Sequence, residues 1–276
     1  MSTKKFLFST LIVLAVIILM IWTLFPLYWN IVLSFKSVGE LRSWPPSLIP
    51  LNPTLENYIY TWTNPQNWRY YSNSVIVTIV STGLALLLGV PSAYACARFR
   101  FKGRSDLLFM ILTFRFLPPA AVVIPLYMFG SYLKLIDTHI LLICIYAAIS
   151  IPLVVWVMLS YFQEIPVELE ESYMIDGFSR LQAFLKVSLP LVRSGLAAIS
   201  MLLIALNFGE FLFAAMLTSS TAKTFPVYLA ESAESPMALE WGRTASLVVL
   251  GLMLLIIIFV YVRKHLARGL TFGAIR

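Results

Sequence analysis

The densest grouping of reactive side chains is Glu168, Glu170 and Glu171, followed within a few residues by Asp176-Gly177 and further on by Leu189-Pro190. A charged helical patch of this kind in a chain otherwise apolar suits electrostatic docking. Pro166 fits the first turn of a helix, the three glutamates complement its positive N-terminal end, and Gly177 supplies a stop. Leu169, Tyr173, Met174 and Ile175 recur at three- and four-residue spacing, which sets an apolar ridge beside the acids. A partner with an apolar cleft and a basic rim would match such a ridge. Packing of the same helix on the chain's own body, with its acids used only for capping, fits the spacing equally well.

Ser179-Arg180-Leu181-Gln182 has capping-box spacing, and Phe184, Leu185, Val187 and Leu189 give the following helix an apolar side until Pro190. The segment 163–193 thus reads as helix, tight turn, helix.

Two further charges, Arg115 and Glu210, stand inside strongly apolar stretches. A charge at mid-bilayer costs about 2.5 to 3.5 kcal/mol even on lenient scales, so both should face protein or water. They either line a pathway, together with Pro119 and Tyr127, or pair with each other or with backbone as a structural tie. The spacing leaves both open, with Glu210 better suited to the structural role and Arg115 to the pathway.

Other chemistries find little support. Cys96 and Cys144 lie in apolar stretches without CxxC spacing and read as buried packing residues; His139 and His265 fall at opposite ends of spans, so no metal site is expected. HExxH, the nucleophile elbow and the phosphate-cradling Gly-x4-Gly-Lys-Ser/Thr pattern are all missing from the 276 residues. The chain is expected to bind no cofactor of its own.

The elements that must position these residues are membrane helices. Sixty per cent of the residues are apolar and 12% are charged, far from a soluble domain, and mean hydropathy is +0.86. Six stretches, 8–33, 71–97, 107–130, 140–162, 195–217 and 244–262, are long enough to cross a hydrocarbon core that needs about 20 helical residues. They lack the alternation of barrel strands, so helices are the remaining way to satisfy their backbone in lipid. Gly83, Gly89, Pro91, Pro118, Pro119, Pro125 and Pro152 should weaken or bend spans two to four. The fold class is all-α, a polytopic bundle of six transmembrane helices forming one domain over 1–276.

Loop charge orients it. With Arg115 set aside, thirteen Lys and Arg lie on the side of both termini and six on the other, which places both termini in the cytoplasm. The +7 net charge is then a topology signal facing membrane lipid, without a nucleic-acid partner. The longest outer loop, 36–69, is rich in Pro, Trp and Tyr and reads as an interfacial cap.

The order PxELEExxxIDGxxxxxxFxxxxLP in the fourth connection of a six-span chain resembles the EAA loop of permease subunits in binding-protein-dependent ABC importers. Phe25-Pro26-Leu27-Tyr28-Trp29, Asn57-Tyr58, Asn73-Ser74, Arg98 to Arg104, Ile124-Pro125-Leu126-Tyr127, Glu210 to Ala214 and Gly269 to Ala274 look like successive landmarks of the maltose-type carbohydrate permeases. Nearly the whole chain is covered.

This resemblance implies a type I importer fold and the role of the smaller, second permease in a heterodimer, in the bacterial inner membrane. Two ATP-binding subunits that hold ATP and Mg would sit below and an extracytoplasmic solute-binding protein above, delivering a sugar or sugar derivative. Glu168 to Phe178 would insert into a cleft of the ATPase, with Glu171 at the motif's leading Glu and Asp176-Gly177 at its Asp-Gly. Ser172, Tyr173 and Phe178 stand where the family usually has alanines, and Phe208-Gly209 where it usually has Trp-Asn; the bulkier Tyr173 and Phe178 imply a partner cleft reshaped to match. The competing class, an ion-coupled secondary transporter, should show internal repeats, and none is evident.

Overall fold

The computed structural model describes residues 3–233, 241–253, 255–257 and 260; the tail landmark 269–274, His265 and the four basic residues beyond 262 lie outside them. The described residues contain helices and no strand. Contacts divide the described residues into two units, one of 3–68 with 229–233 and 241–253 and one built on 69–228.

In the first unit, α1 (Thr3–Ser34) is followed by the single turn α2 (Val38–Leu41) and by α3 (Glu56–Thr63). No residue in the most apolar stretch of α1 is buried among the described residues, so its side chains are left for lipid or another subunit. The loop after α1 is held by polar bonds: Asn57 Nδ2 donates to the carbonyls of Ser34 and Lys36, each at 3.0 Å. A helix over Trp241–Ile257 packs Gly242 beneath Asn57, where a Cβ would come within 2.6 Å of the amide.

The second unit begins in α4 (Pro65–Arg98) and continues through α5 (Arg104–Arg115), α6 (Pro119–Tyr132) and α7 (His139–Gln163). The acidic α8 (Glu168–Ile175) follows. Then α9 (Arg180–Ala183), a π-helical turn (Phe184–Ser188) and α10 (Leu189–Leu191) form one helical run, before α11 (Arg193–Phe208), α12 (Leu212–Leu217) and α13 (Phe225–Ala233). The core groups Val154, Met158 and Phe162 of α7 with Val90 and Tyr94 of α4 and Ile199 and Leu203 of α11. A second cluster joins Leu142 and Tyr146 of α7 to Val123, Phe213 and Leu217.

Helices α1, α4 and α7 are each long and apolar enough to cross a membrane, and two bent pairs raise the number to five; the expected span 244–262 is only partly described. The expected spans differ in continuity. The span 107–130 is broken at 116–118, with α5 and α6 at 92°, because Pro118 and Pro119 deny the turn its amides. The span 195–217 is likewise broken at Gly209–Phe211. Conversely α4 and α7 run unbroken through Pro91 and Pro152. Gly89 serves packing, since a Cβ there would lie 2.8 Å from the Val154 Cβ.

Candidate functional site: the acidic hairpin and the mid-span cavity

The acidic helix forms as its residues direct. Pro166 and Val167 accept the first amide bonds of α8, and Gly177 ends the helix at φ +91°, a conformation open to glycine without strain. Ser179 and Gln182 complete the capping box of α9 in both directions. Leu189 N donates back to Phe184 O, five residues away, so the turn before Pro190 is π rather than a plain continuation of the helix. Such single π-turns recur at functional sites.

The three glutamates, alike in sequence, part company in space. Glu168 and Glu171 are exposed, whereas Glu170 is 1% exposed. Its Oε1 takes Arg98 Nε at 2.7 Å and Ser188 Oγ at 2.6 Å, and its Oε2 takes Tyr94 Oη at 2.7 Å. Arg98 Nη2 continues to the Ile165 carbonyl at 3.0 Å. Burial alone would push the Glu170 carboxyl up, but the bonds from Ser188, Tyr94 and Arg98 outweigh it and hold the group below the usual carboxylate range. The rings of Tyr94, Phe162 and Phe184 pack around it, with centroids 4.6 to 6.1 Å apart. The spacing groups Glu170 with the other acids of the docking helix; what sets it apart is a partner 72 residues away.

The opposite side of the hairpin is uncovered. Leu169 is 46% and Ile175 84% exposed, and Phe178 stacks on Tyr173 with centroids 4.4 Å apart. The helix thus has two unlike faces: Glu170 bonds to the chain's own body, while Leu169, Glu171 and Ile175 face outward. Met174 is half-buried, and Asp176 and Gly177 are exposed at the turn.

The intramembrane charges meet at a cavity of about 190 Å³ lined by Arg115, Pro119, Ser150, Asn207 and Glu210 among apolar residues of α7 and α11. Arg115 and Glu210 are not ion-paired. Glu210 Oε2 accepts from Tyr146 Oη at 2.6 Å, and its carboxylate caps α12 through the amides of Phe213 and Ala214 at 2.9 and 3.2 Å. Its role in the fold is structural, as the break before α12 requires a cap. Arg115 lies at the end of α5, exposed and, among the described residues, without a hydrogen-bond partner. Tyr127 is not part of this cavity. A polar layer that sequence reading missed adjoins it: Asn207 accepts from Ser150 at 3.2 Å and donates to Ser81 and Thr82 at 3.3 and 3.2 Å.

Two other residues change standing. His139, uninformative in sequence, bonds Asn73 Oδ1 at 2.8 Å, and Asn73 Nδ2 donates to the carbonyls of Thr221 and Lys223. Cys96 is buried as expected, but Cys144 is exposed, because it falls on the side of α7 turned away from the core. Among the described residues no group of three or more His, Cys, Asp and Glu could hold a metal ion.

Comparison with known proteins agrees with this architecture. Residues 85–271 match the family model described as binding-protein-dependent transport system inner membrane component. The chain is 33% identical over 261 residues to the inner membrane ABC transporter permease protein YcjP of Escherichia coli, covering 93% of this chain and 92% of that one. It is 32% identical over 269 residues to the trehalose/maltose transport system permease protein MalG of Thermococcus litoralis, covering 96% of each. In fold it is similar to a chain from the crystal structure of a bacterial ABC transporter involved in the import of the acidic polysaccharide alginate. The TM-score is 0.82 at 23% identity, covering 96% of this chain and 98% of that one.

Proposed function

The chain belongs to the inner membrane components of binding-protein-dependent transport systems, and from that premise we propose that it is one of two permease subunits lining the path of a sugar or sugar derivative. A membrane permease of the type I importer fold carries no catalytic centre. Two ATP-binding subunits below it hold ATP and Mg and perform hydrolysis, and a solute-binding protein delivers the substrate from above. Both termini lie in the cytoplasm, following the excess of basic residues on that side. The whole chain works as a single transmembrane domain paired with a second permease, against which the uncovered surface of α1 is available.

The observation that carries this reading is the outward face of α8, where Leu169, Glu171 and Ile175 are exposed on an otherwise anchored hairpin. An apolar ridge with a free carboxylate fits a cleft with a basic rim in the ATPase, and a short rigid helix can pass the two-state closure of that ATPase to the spans. Carbohydrate as the cargo rests on the relatives that transport trehalose, maltose and galactooligosaccharides. Arg115 and Pro119, at the cavity beside the broken α11–α12 connection, belong to the pathway, because irregular backbone at membrane depth is tolerated beside protein or water. Glu210 shapes that cavity from its structural position. Tyr127 is a weaker pathway candidate than these.

The test is purification in mild detergent after co-expression with the neighbouring genes. An ATP-binding protein should co-purify with the wild-type chain and be lost with Glu171→Ala, while the variant still inserts. A chain that purifies alone and drives uptake without ATP would overturn the proposal.

A further inference from the structure

Glu170 and Glu171 are adjacent in sequence, but only Glu171 can reach a partner. Glu170 is closed off at the centre of a junction of four segments: Tyr94 and Arg98 from the end of α4, Ile165 just past α7, α8 itself, and Ser188 in the π-turn. Ser188 is fully buried, so no water replaces its hydroxyl there. A second tie lies beside the junction, where the Arg180 guanidinium sits 5.1 Å above the Phe99 ring.

The mechanics of α8 make this junction necessary. The helix has eight residues and is joined to α9 through Gly177 in the left-handed region, a joint that resists rotation weakly. A push on its outer face would be spent on swinging the helix unless another connection carried the load. Every bond of the Glu170 carboxylate runs to a segment other than α8, and Arg98 donates to it from the last residue of a helix of 34 residues. A charged bond in a buried setting tolerates little misalignment.

We infer that Glu170 is a positioning residue that latches α8 to α4 and the π-turn, so that movement imposed on the outer face of α8 reaches the transmembrane helices. This rests on the coupling role proposed above for α8. The two neighbouring glutamates then divide the work: Glu171 holds the ATPase and Glu170 transmits its motion.

The experiment uses the full transporter in proteoliposomes, measuring ATPase retained on purification and the ratio of ATP hydrolysis with and without substrate-loaded solute-binding protein. Glu170→Gln keeps the shape and removes the charge. It should retain the ATPase at the wild-type level while the stimulation ratio falls by about 2- to 30-fold, the range for lost energetic coupling. The charge exchange Arg98→Glu with Glu170→Arg should recover part of that ratio. A fall in the amount of folded protein would leave the ratio unchanged, which separates transmission from stability. If Glu170→Gln does not accumulate, Tyr94→Phe removes one hydroxyl from the same junction and should lower the ratio with assembly intact.

A wild-type ratio in Glu170→Gln, or in Tyr94→Phe where it stands in, overturns the latch, as does loss of the ATPase from Glu170→Gln on purification. Failure of the underlying reading looks different: the wild-type chain would hold no ATPase, or Glu171→Ala would hold it undiminished.

Discussion

Replacing Asp137 by Asn exchanges one oxygen for an amide nitrogen in a carboxylate that closes the connection between α12 and α13. Asp137 Oδ1 accepts the amides of Ser219, Ser220, Thr221 and Ala222 at 3.0 to 3.2 Å, and Oδ2 accepts those of Ser220 and Thr221 with the hydroxyls of Ser219 and Ser220. Its φ is +60°, which Asn also tolerates, so the exchange tests the charge and not the backbone. Hydrogen bonds to a charged group are each worth about 1.5 to 3 kcal/mol. These share one carboxylate and lie where water can return to the amides, so their sum is not available. Asn keeps an acceptor in the Oδ1 position but turns a donor toward the donors at Oδ2. Local opening of 219–222 should become easier by about 2 to 3 kcal/mol, which lowers hydrogen-exchange protection of those amides about 30- to 150-fold. The pH dependence has a definite sign. Burial would raise the Asp137 pKa, but the bonds from Ala222, Thr221 and Ser219 outweigh it and hold the group well below the usual carboxylate range. With an unfolded value near about 3.9, its stabilisation is complete above that pH and is lost as pH falls through the folded value. The gap between wild type and Asp137→Asn should therefore be constant from neutral pH to about 4 and close below it. Equal protection in the two proteins at neutral pH would refute this account of the loop.

Gly89→Ala should destabilise the bundle by about 1 to 2 kcal/mol in detergent unfolding, since the overpacking cost exceeds the gain in helix propensity. The clash is with Val154 Cγ1 and Cβ at 2.7 and 2.8 Å, and a Cβ cannot move away without its backbone; a variant as stable as the parent would show that α4 and α7 can separate freely. Arg115→Ala should alter uptake kinetics while leaving assembly intact, because Arg115 lines the cavity without a hydrogen-bond partner among the described residues. Wild-type uptake by that variant would remove Arg115 from the pathway.

Hydropathy alone located the apolar stretches, because lipid forces each crossing segment to satisfy its own backbone. The hairpin's local devices were equally legible: Gly177 at φ +91° and the reciprocal Ser179–Gln182 cap are made within a few residues of chain. Proline was legible as a type but not in effect. Pro118-Pro119 opens a 92° bend while Pro91 and Pro152 leave their helices continuous, since neighbouring helices decide whether the freed carbonyls find support.

Which glutamate is buried and which is exposed is decided only in three dimensions. Glu168, Glu170 and Glu171 are one acidic cluster in sequence, and a 100° step around a helix separates a buried junction from an outward face. That step has meaning only once Arg98, Tyr94 and Ser188 are brought to the same place from three other segments. Glu210 was likewise separable from Arg115 only when Tyr146 Oη and the amides of α12 were seen to occupy its carboxylate. Periodicity reports which residues share a face of one helix; burial and the pairing of charges depend on what the fold sets opposite that face.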